Sequence, residues 1–171
     1  MFLTKIIQVF YQTALSIAFV NLKPILPGHV LVSPRRVVPR IHDLTPAETS
    51  DMFQTVRRVG RMIERVYDAS SLNVAVQDGV DAGQSVPHVH AHVIPRQRHD
   101  LATTDTVYEL LDGDEGDLRR AFGILTENGT QERRRSRFPA VDDGERTPRG
   151  AEEMEEEAER LAREMEAEPV D

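Results

Sequence analysis

Apolar and polar positions change their period several times along the 171-residue chain. Residues 9–20 (VFYQTALSIAFV) are dense in β-branched and aromatic side chains and are broken at Gln12–Thr13. This pattern predicts two strands joined by a tight connection. Residues 21–28 (NLKPILPG) hold two Pro and a Gly and read as a turn; HVLVSP then reads as a third strand, ended by Pro34. Connections this short imply antiparallel neighbours. The period changes at Thr45-Pro46-Ala47-Glu48, which offers an N-cap Thr, Pro at the first helical position and Glu where a capping box needs it. Met52, Val56, Val59, Ile63 and Val66 follow at 4,3,4,3 spacing, one apolar stripe made to pack on a sheet. Leu72–Val76 (LNVAV) reads as a strand stopped by Gln77-Asp78-Gly79. A loop with Gly79 and Gly83 runs to Pro87, and His88–Ile94 reads as the last strand. The class these elements predict is α+β: an antiparallel sheet of about five strands, one long helix and a C-terminal helix.

The C-terminal part reads differently. Residues 97–149 lose periodicity; Asp112–Asp117 is acidic, Arg133–Arg137 basic, and Asp142–Gly150 rich in Pro, Gly and charge. Such composition buries too little to order itself. The chain is therefore divided into a catalytic domain over 1–110, a charged, disordered insert over 111–149 and an amphipathic helix over 150–167. Met154, Ala158, Leu161 and Met165 space that helix's thin apolar stripe, which is expected to dock on the domain or on a partner. Cutting out 112–149 is expected to leave the active site intact.

Charge supports the division. The chain carries a formal −8, but residues 1–110 sum to +1 and 111–171 to −9, and all six His lie in the first part. An acidic chain is not a general nucleic-acid binder. The absence of Cys excludes a disulfide scaffold, a thiol nucleophile and Cys-ligated metal sites. No apolar run approaches the ~18 residues of a membrane span, and Gln8, Gln12 and Thr13 interrupt residues 1–20 too often for a secretory signal.

His88-Val89-His90-Ala91-His92-Val93-Ile94 is the informative segment. With a strand period of 2, His88, His90 and His92 share one face, and Val89, Ala91 and Val93 face the helix. A metal site is one reading, but the outer imidazoles sit on Cα atoms about 13 Å apart. A structural strand that happens to carry His is a second. Nucleophilic catalysis is a third: a neutral imidazole brings no negative charge to an anionic phosphate, and its neighbours can hydrogen-bond phosphate oxygens. Gly83-Gln84-Ser85-Val86, just before the row, offers backbone N–H groups, an amide and a hydroxyl suited to a phosphate chain.

The row resembles the histidine-triad pattern, His-x-His-x-His followed by two apolar residues. Residues 17–34 (IAFVNLKPILPGHVLVSP), His42-Asp43-Leu44, Phe53-Gln54-Thr55, residues 77–96 (QDGVDAGQSVPHVHAHVIPR) and Thr106-Val107-Tyr108-Glu109 resemble the Fhit-type diadenosine triphosphate hydrolases. The resemblance spans about residues 9–110 and, faintly, the 150–167 helix. It implies a HIT-like fold and a homodimer with one continuous sheet. It implies hydrolysis of bis(5'-adenosyl) triphosphate to AMP and ADP through a nucleotidyl-histidine, with Mg2+ or Mn2+ accompanying the substrate phosphates. On this resemblance His90 is the nucleophile, His88 its orienting neighbour and His92 the contact to the scissile phosphate and bridging oxygen. His29 supports the row from behind, Asn21 binds ribose, Gln77 binds phosphate, and Gly83, Gln84, Ser85 and Val86 hold the phosphate chain. His42 and His99 match no catalytic role. The same intermediate would serve a nucleoside phosphoramidate hydrolase, and a dinucleotide-binding signalling module with incidental turnover is the reading from another class. Nucleotide is the expected partner, with neither nucleic acid nor membrane, in the cytoplasm and also the nucleus.

Overall fold

A computed structural model describes residues 8–111 and 148–170. The expected disorder of the insert falls on 112–147, outside the described residues. Five strands form one antiparallel sheet: β1 (Val9–Gln12), β2 (Ser16–Val20), β3 (Val30–Pro34), β4 (Ser71–Ala75) and β5 (Ala91–Arg96), in spatial order β1-β2-β3-β5-β4. Helix α1 (Pro46–Val66) joins β3 to β4, a short α2 (Thr106–Leu110) follows β5, and α3 (Ala151–Glu166) ends the fold.

Local chemistry accounts for the boundaries. Thr13 makes the β1–β2 connection tight: its Oγ1 accepts from Leu15 and Ser16 N–H at 3.2 and 2.8 Å and donates to Asp51 of α1 at 2.6 Å. Thr45 caps α1 in the full capping box, accepting Glu48 N–H while Glu48 accepts Thr45 N–H at 2.8 Å. Arg36 then grips the Glu48 carboxylate with two N–H groups at 2.7 Å.

Both α1 and α3 cover the same face of the sheet. Ala18, Val20, Val30, Val32, Val89, Ala91 and Val93 meet Met52, Val59, Met62 and Ile63 of α1 and Met154, Ala158, Leu161 and Met165 of α3 in one core. The alternation expected for 88–93 therefore holds for its apolar half. On the opposite face Ile17, Phe19 and Leu31 pack with Val86, while His92 lies between Leu31 of β3 and Ala75 of β4.

Two boundaries differ from the sequence reading. The last strand begins at Ala91 and runs to Arg96, instead of spanning 88–94. Residues 88–90 are held as an irregular run-in: Val89 N–H bonds Val38 C=O at 2.7 Å and His88 N–H bonds Val86 C=O at 2.7 Å. The fold also reclaims Arg149 from the charged insert, since its N–H bonds Leu22 C=O at 3.0 Å.

Candidate active site

The three triad imidazoles and His29 are each at most 2% exposed. Burial makes every ring nitrogen a hydrogen-bonding obligation, and the partners settle which nitrogen carries a proton.

His90 is the simplest case. Its Nδ1 lies 2.8 Å from the C=O of His88. A carbonyl only accepts, so Nδ1 carries the proton and Nε2 carries the lone pair. This is the tautomer a nucleophilic imidazole needs.

His88 is fixed by Ser33 of β3. Ser33 Oγ donates to Val89 C=O at 2.6 Å, so it must accept from His88 Nε2–H, 2.9 Å away. The other ring nitrogen, Nδ1, lies 3.2 Å from Val38 N–H and 3.3 Å from Val38 C=O. With the proton on Nε2, Nδ1 accepts from Val38 N–H. Burial pushes the His88 pKa down to about 4, and the neighbouring His90 adds to that direction.

His92 has the opposite tautomer from His90. Ile25 N–H donates to His29 Nδ1 at 3.1 Å, which places the His29 proton on Nε2. That N–H points at His92 Nδ1, 2.9 Å away, so the His92 proton sits on its own Nε2. His90 and His92, ring centroids 5.2 Å apart and tilted by 71°, pair one Nε2 lone pair with one Nε2–H donor. Asn21, 8% exposed, has its amide fixed by Lys23 N–H donating to Oδ1 at 2.9 Å; its Nδ2 lies 3.3 Å from His29 Nε2, a contact between two donors in this tautomer.

The other expected residues divide. Gln77 is half-buried just beyond β4, two residues after Ala75, which pairs with His92. Gly83 takes φ +87°, a left-handed conformation suited to Gly, and closes the loop. The Gln84 amide is used internally: Nε2 donates to Pro39 C=O and Oε1 accepts Gly79 N–H, both at 2.8 Å. Ser85 is half-buried, and the Val86 side chain is fully buried among Ile17, Phe19 and Leu31. Within this loop the backbone, more than Gln84 or Val86 side chains, is placed to meet a ligand. His42 and His99 are exposed, away from the row.

Three residues were missed in sequence. Ser33 and Val38 fix His88, and Arg149 binds Asn21 C=O through Nε at 3.1 Å. A Ser in a strand and a backbone N–H carry no sequence signal for this role. Asp78, from the strand-breaking Gln77-Asp78-Gly79, ties the start of the 79–86 loop to the 36–41 segment by accepting Ile41 N–H at 2.8 Å and an Arg40 guanidinium N–H at 3.1 Å. Among the described residues no group of three or more His, Asp or Glu is arranged to hold a metal ion, and no helix is long and apolar enough to cross a membrane.

Known proteins carry the same pattern. A bis(5'-nucleosyl)-tetraphosphatase [asymmetrical] of Schizosaccharomyces pombe is 54% identical over 159 residues, covering 90% of this chain and 86% of that one. A bifunctional bis(5'-adenosyl)-triphosphatase/adenylylsulfatase of Arabidopsis thaliana is 51% identical over 117 residues, covering 68% and 65%. Among solved structures, a Plasmodium falciparum diadenosine triphosphate hydrolase in complex with Cyclomarin A superposes with a TM-score of 0.54 at 31% identity, covering 68% of this chain and 79% of that one. The HIT domain profile matches residues 5–99, more than half of the sequence, and with the four interlocked imidazoles this establishes that the chain belongs to the HIT domain family.

Proposed function

We propose that the protein hydrolyses dinucleoside polyphosphates, with diadenosine triphosphate as substrate and AMP and ADP as products. The observation that carries this is the pair of opposed tautomers: a lone pair on His90 Nε2 beside a proton on His92 Nε2. His90 Nε2 attacks the α-phosphorus, forming a P–N bond as the bridging P–O bond breaks. ADP departs with its oxygen hydrogen-bonded by His92 Nε2–H. The adenylylated imidazole becomes cationic, and His88 C=O, which already accepts its Nδ1–H, stabilises that charge. Water then attacks the same phosphorus, AMP leaves, the water proton passes to solvent and His90 returns neutral. Neutral His88 orients the row without adding charge.

Asn21 holds the ribose, Gln77 a phosphate oxygen, and the backbone at Gly83–Val86 with Ser85 the remaining chain. A Mg2+ or Mn2+ ion enters with the substrate phosphates. The active species is a homodimer joined through the β4 edge, where Val74 is 46% exposed.

The plant relative and the Plasmodium enzyme bear triphosphatase names and the fission-yeast relative a tetraphosphatase name, so chain length is the finer question. Parallel assays with diadenosine triphosphate and tetraphosphate test it. The expected result is AMP plus ADP, with the higher kcat/KM on the triphosphate. Preference for the tetraphosphate corrects the substrate; tight binding without turnover replaces hydrolysis with the signalling reading.

A further inference from the structure

Residues 21–29 carry two of the proposed functional groups, Asn21 and His29, and the Ile25 N–H that sets the relay tautomer. Within the turn, Lys23 N–H bonds Asn21 Oδ1 at 2.9 Å and His29 N–H bonds Leu26 C=O at 3.1 Å, and Ile25 and Leu26 pack against Ile94, Val107 and Leu111. The C-terminal element adds a restraint at each of its two ends.

At the Asn21 end, Arg149 donates to Asn21 C=O from Nε at 3.1 Å and again from a terminal nitrogen, while its own N–H bonds Leu22 C=O at 3.0 Å. At the His29 end, Gly28 turns with φ +85° over the ring of Tyr67, and a Cβ there would lie 2.6 Å from the ring. One carboxylate of α3 joins the two ends: Glu157 accepts Tyr67 O–H on Oε1 at 2.6 Å and pairs with Arg149 through Oε2. Arg149 and Glu157 side chains are only 12% and 14% exposed, so this pair is shielded more than a surface salt bridge.

We propose that Arg149, held by Glu157 and Tyr67, is a positioning residue for the histidine relay. It fixes the 21–29 turn so that Ile25 N–H meets His29 Nδ1, which forces the His29 proton onto Nε2 and hence the His92 proton onto the nitrogen facing the leaving group. If the turn shifts, His29 loses its donor and the His92 tautomer is no longer dictated. The inference rests on the hydrolase reading for its kinetic readout and stands apart from it in its spectroscopic one.

The test uses the full chain and Arg149→Ala, with Arg149→Lys as the conservative variant. On diadenosine triphosphate kcat falls by roughly tenfold to a hundredfold in Arg149→Ala, the size expected when a reacting group is misplaced by about 1 Å. On an AMP ester of p-nitrophenol, whose phenolate leaves with little help, the fall in kcat shrinks to less than about threefold. A rise in KM shared by both substrates reports Asn21. Arg149→Lys restores part of kcat, because an ammonium can still donate to Asn21 C=O but lacks the planar fork. Imidazole 15N spectra of the unliganded protein show His92 as the Nε2–H tautomer in wild type and a mixture in Arg149→Ala. Arg61→Ala, which loosens the far end of α3, keeps kcat and the 15N pattern of wild type. Equal losses of kcat on both substrates, or an unchanged His92 tautomer in Arg149→Ala, overturn the proposal. A wild type with no turnover defeats the hydrolase reading instead, and the 15N comparison still decides this one.

Discussion

The histidine cluster and the C-terminal helix are built on opposite plans. In the cluster, six polar side chains (Asn21, His29, Ser33, His88, His90 and His92) are each 8% exposed or less. Backbone groups of Ile25, Val38, His88 and Val89 fix their protons. Backbone atoms cannot be mutated away, so the proton pattern lasts as long as the segments that carry these atoms stay in place. Helix α3 is held by only four fully buried side chains and by long charged ones. Arg58, Arg61 and Arg65, one stripe of α1, grip its C-terminal end: Arg58 donates to Met165 and Glu168 C=O at 3.2 and 2.6 Å, Arg61 pairs with Glu168 at 3.1 Å, and Arg65 pairs with Glu164 and Glu168. Cations at a helix C-terminus also meet its partial negative charge. The lesson is that the proton pattern is carried by short-range backbone obligations, while the support beneath it is carried by side-chain charge over 99 to 110 residues of sequence separation.

The sharpest contrast is between one atom in the cluster and a whole side chain in the support. His90→Asn removes the nucleophile but keeps a polar side chain of similar reach. Turnover should fall by about three orders of magnitude or more while dinucleotide binding persists, because a lost covalent route exceeds any one positioning contact. Steady-state assays paired with calorimetric binding check this; activity above about a tenth of wild type breaks the assignment.

Leu161→Ala attacks the support. Leu161 is fully buried between α1 and the sheet, and the cavity should lower unfolding free energy by about 2–5 kcal/mol. Chemical denaturation checks it, and a loss under about 1 kcal/mol would mean that α3 docks through the α1 arginines alone.

Acid separates two parts of the fold by the pH window in which each loses stability. His88 has a pKa of about 4 in the fold against 6.5 as its ordinary value. The unfolded chain therefore binds the extra proton first. The stability His88 contributes is complete above pH 6.5 and is lost as pH falls from 6.5 to 4, at most about 3 kcal/mol. Glu48 is held down to about 2 by Arg36 and by Thr45 N–H, so its loss comes at lower pH, between 4.5 and 2. Urea titrations across pH 4–7 check the first window, and replacing His88 by Gln should flatten it. A wild-type profile flat over that range would show that the His88 ring is hydrated.

The smallest effect belongs to one latch. Arg61→Ala removes a partner of Glu168, which Arg65 also contacts at 3.4 Å. Shared partners soften the loss, so the melting temperature should drop by an amount matching about 1 kcal/mol or less, with kcat unchanged.

How far the sequence could be read follows the same division. The apolar alternation Val89, Ala91, Val93, the capping box at Thr45 and the 4,3,4 stripe of α3 are local patterns, and all three are in the structure. The strand start at Ala91 was misplaced because His88 and His90 alternate like strand residues although their backbone bonds go to Val86 and Val38. Ser33 was invisible because a buried Ser in an apolar strand signals nothing until its partner is known. Gln84 is assigned to the phosphate chain by its amide and by the resemblance; in the structure that amide bonds Pro39 C=O and Gly79 N–H, partners that sequence does not reveal. Arg149 was lost in a charge-rich stretch, its partner Asn21 lying 128 residues away. On the role proposed for Arg149, the expected deletion of 112–149 meets the site at this residue, because Arg149 bonds Asn21 C=O.

The central claim is that His90 Nε2 attacks phosphorus to form a covalent intermediate. It is tested most directly by the stereochemical course at that phosphorus, with a substrate carrying a sulfur of defined configuration on the α-phosphate and isotopically labelled water. Two in-line displacements, first by His90 and then by water, give AMP thiophosphate with overall retention. Inversion would mean a single direct attack by water, with His90 acting only as a base, and would contradict the account.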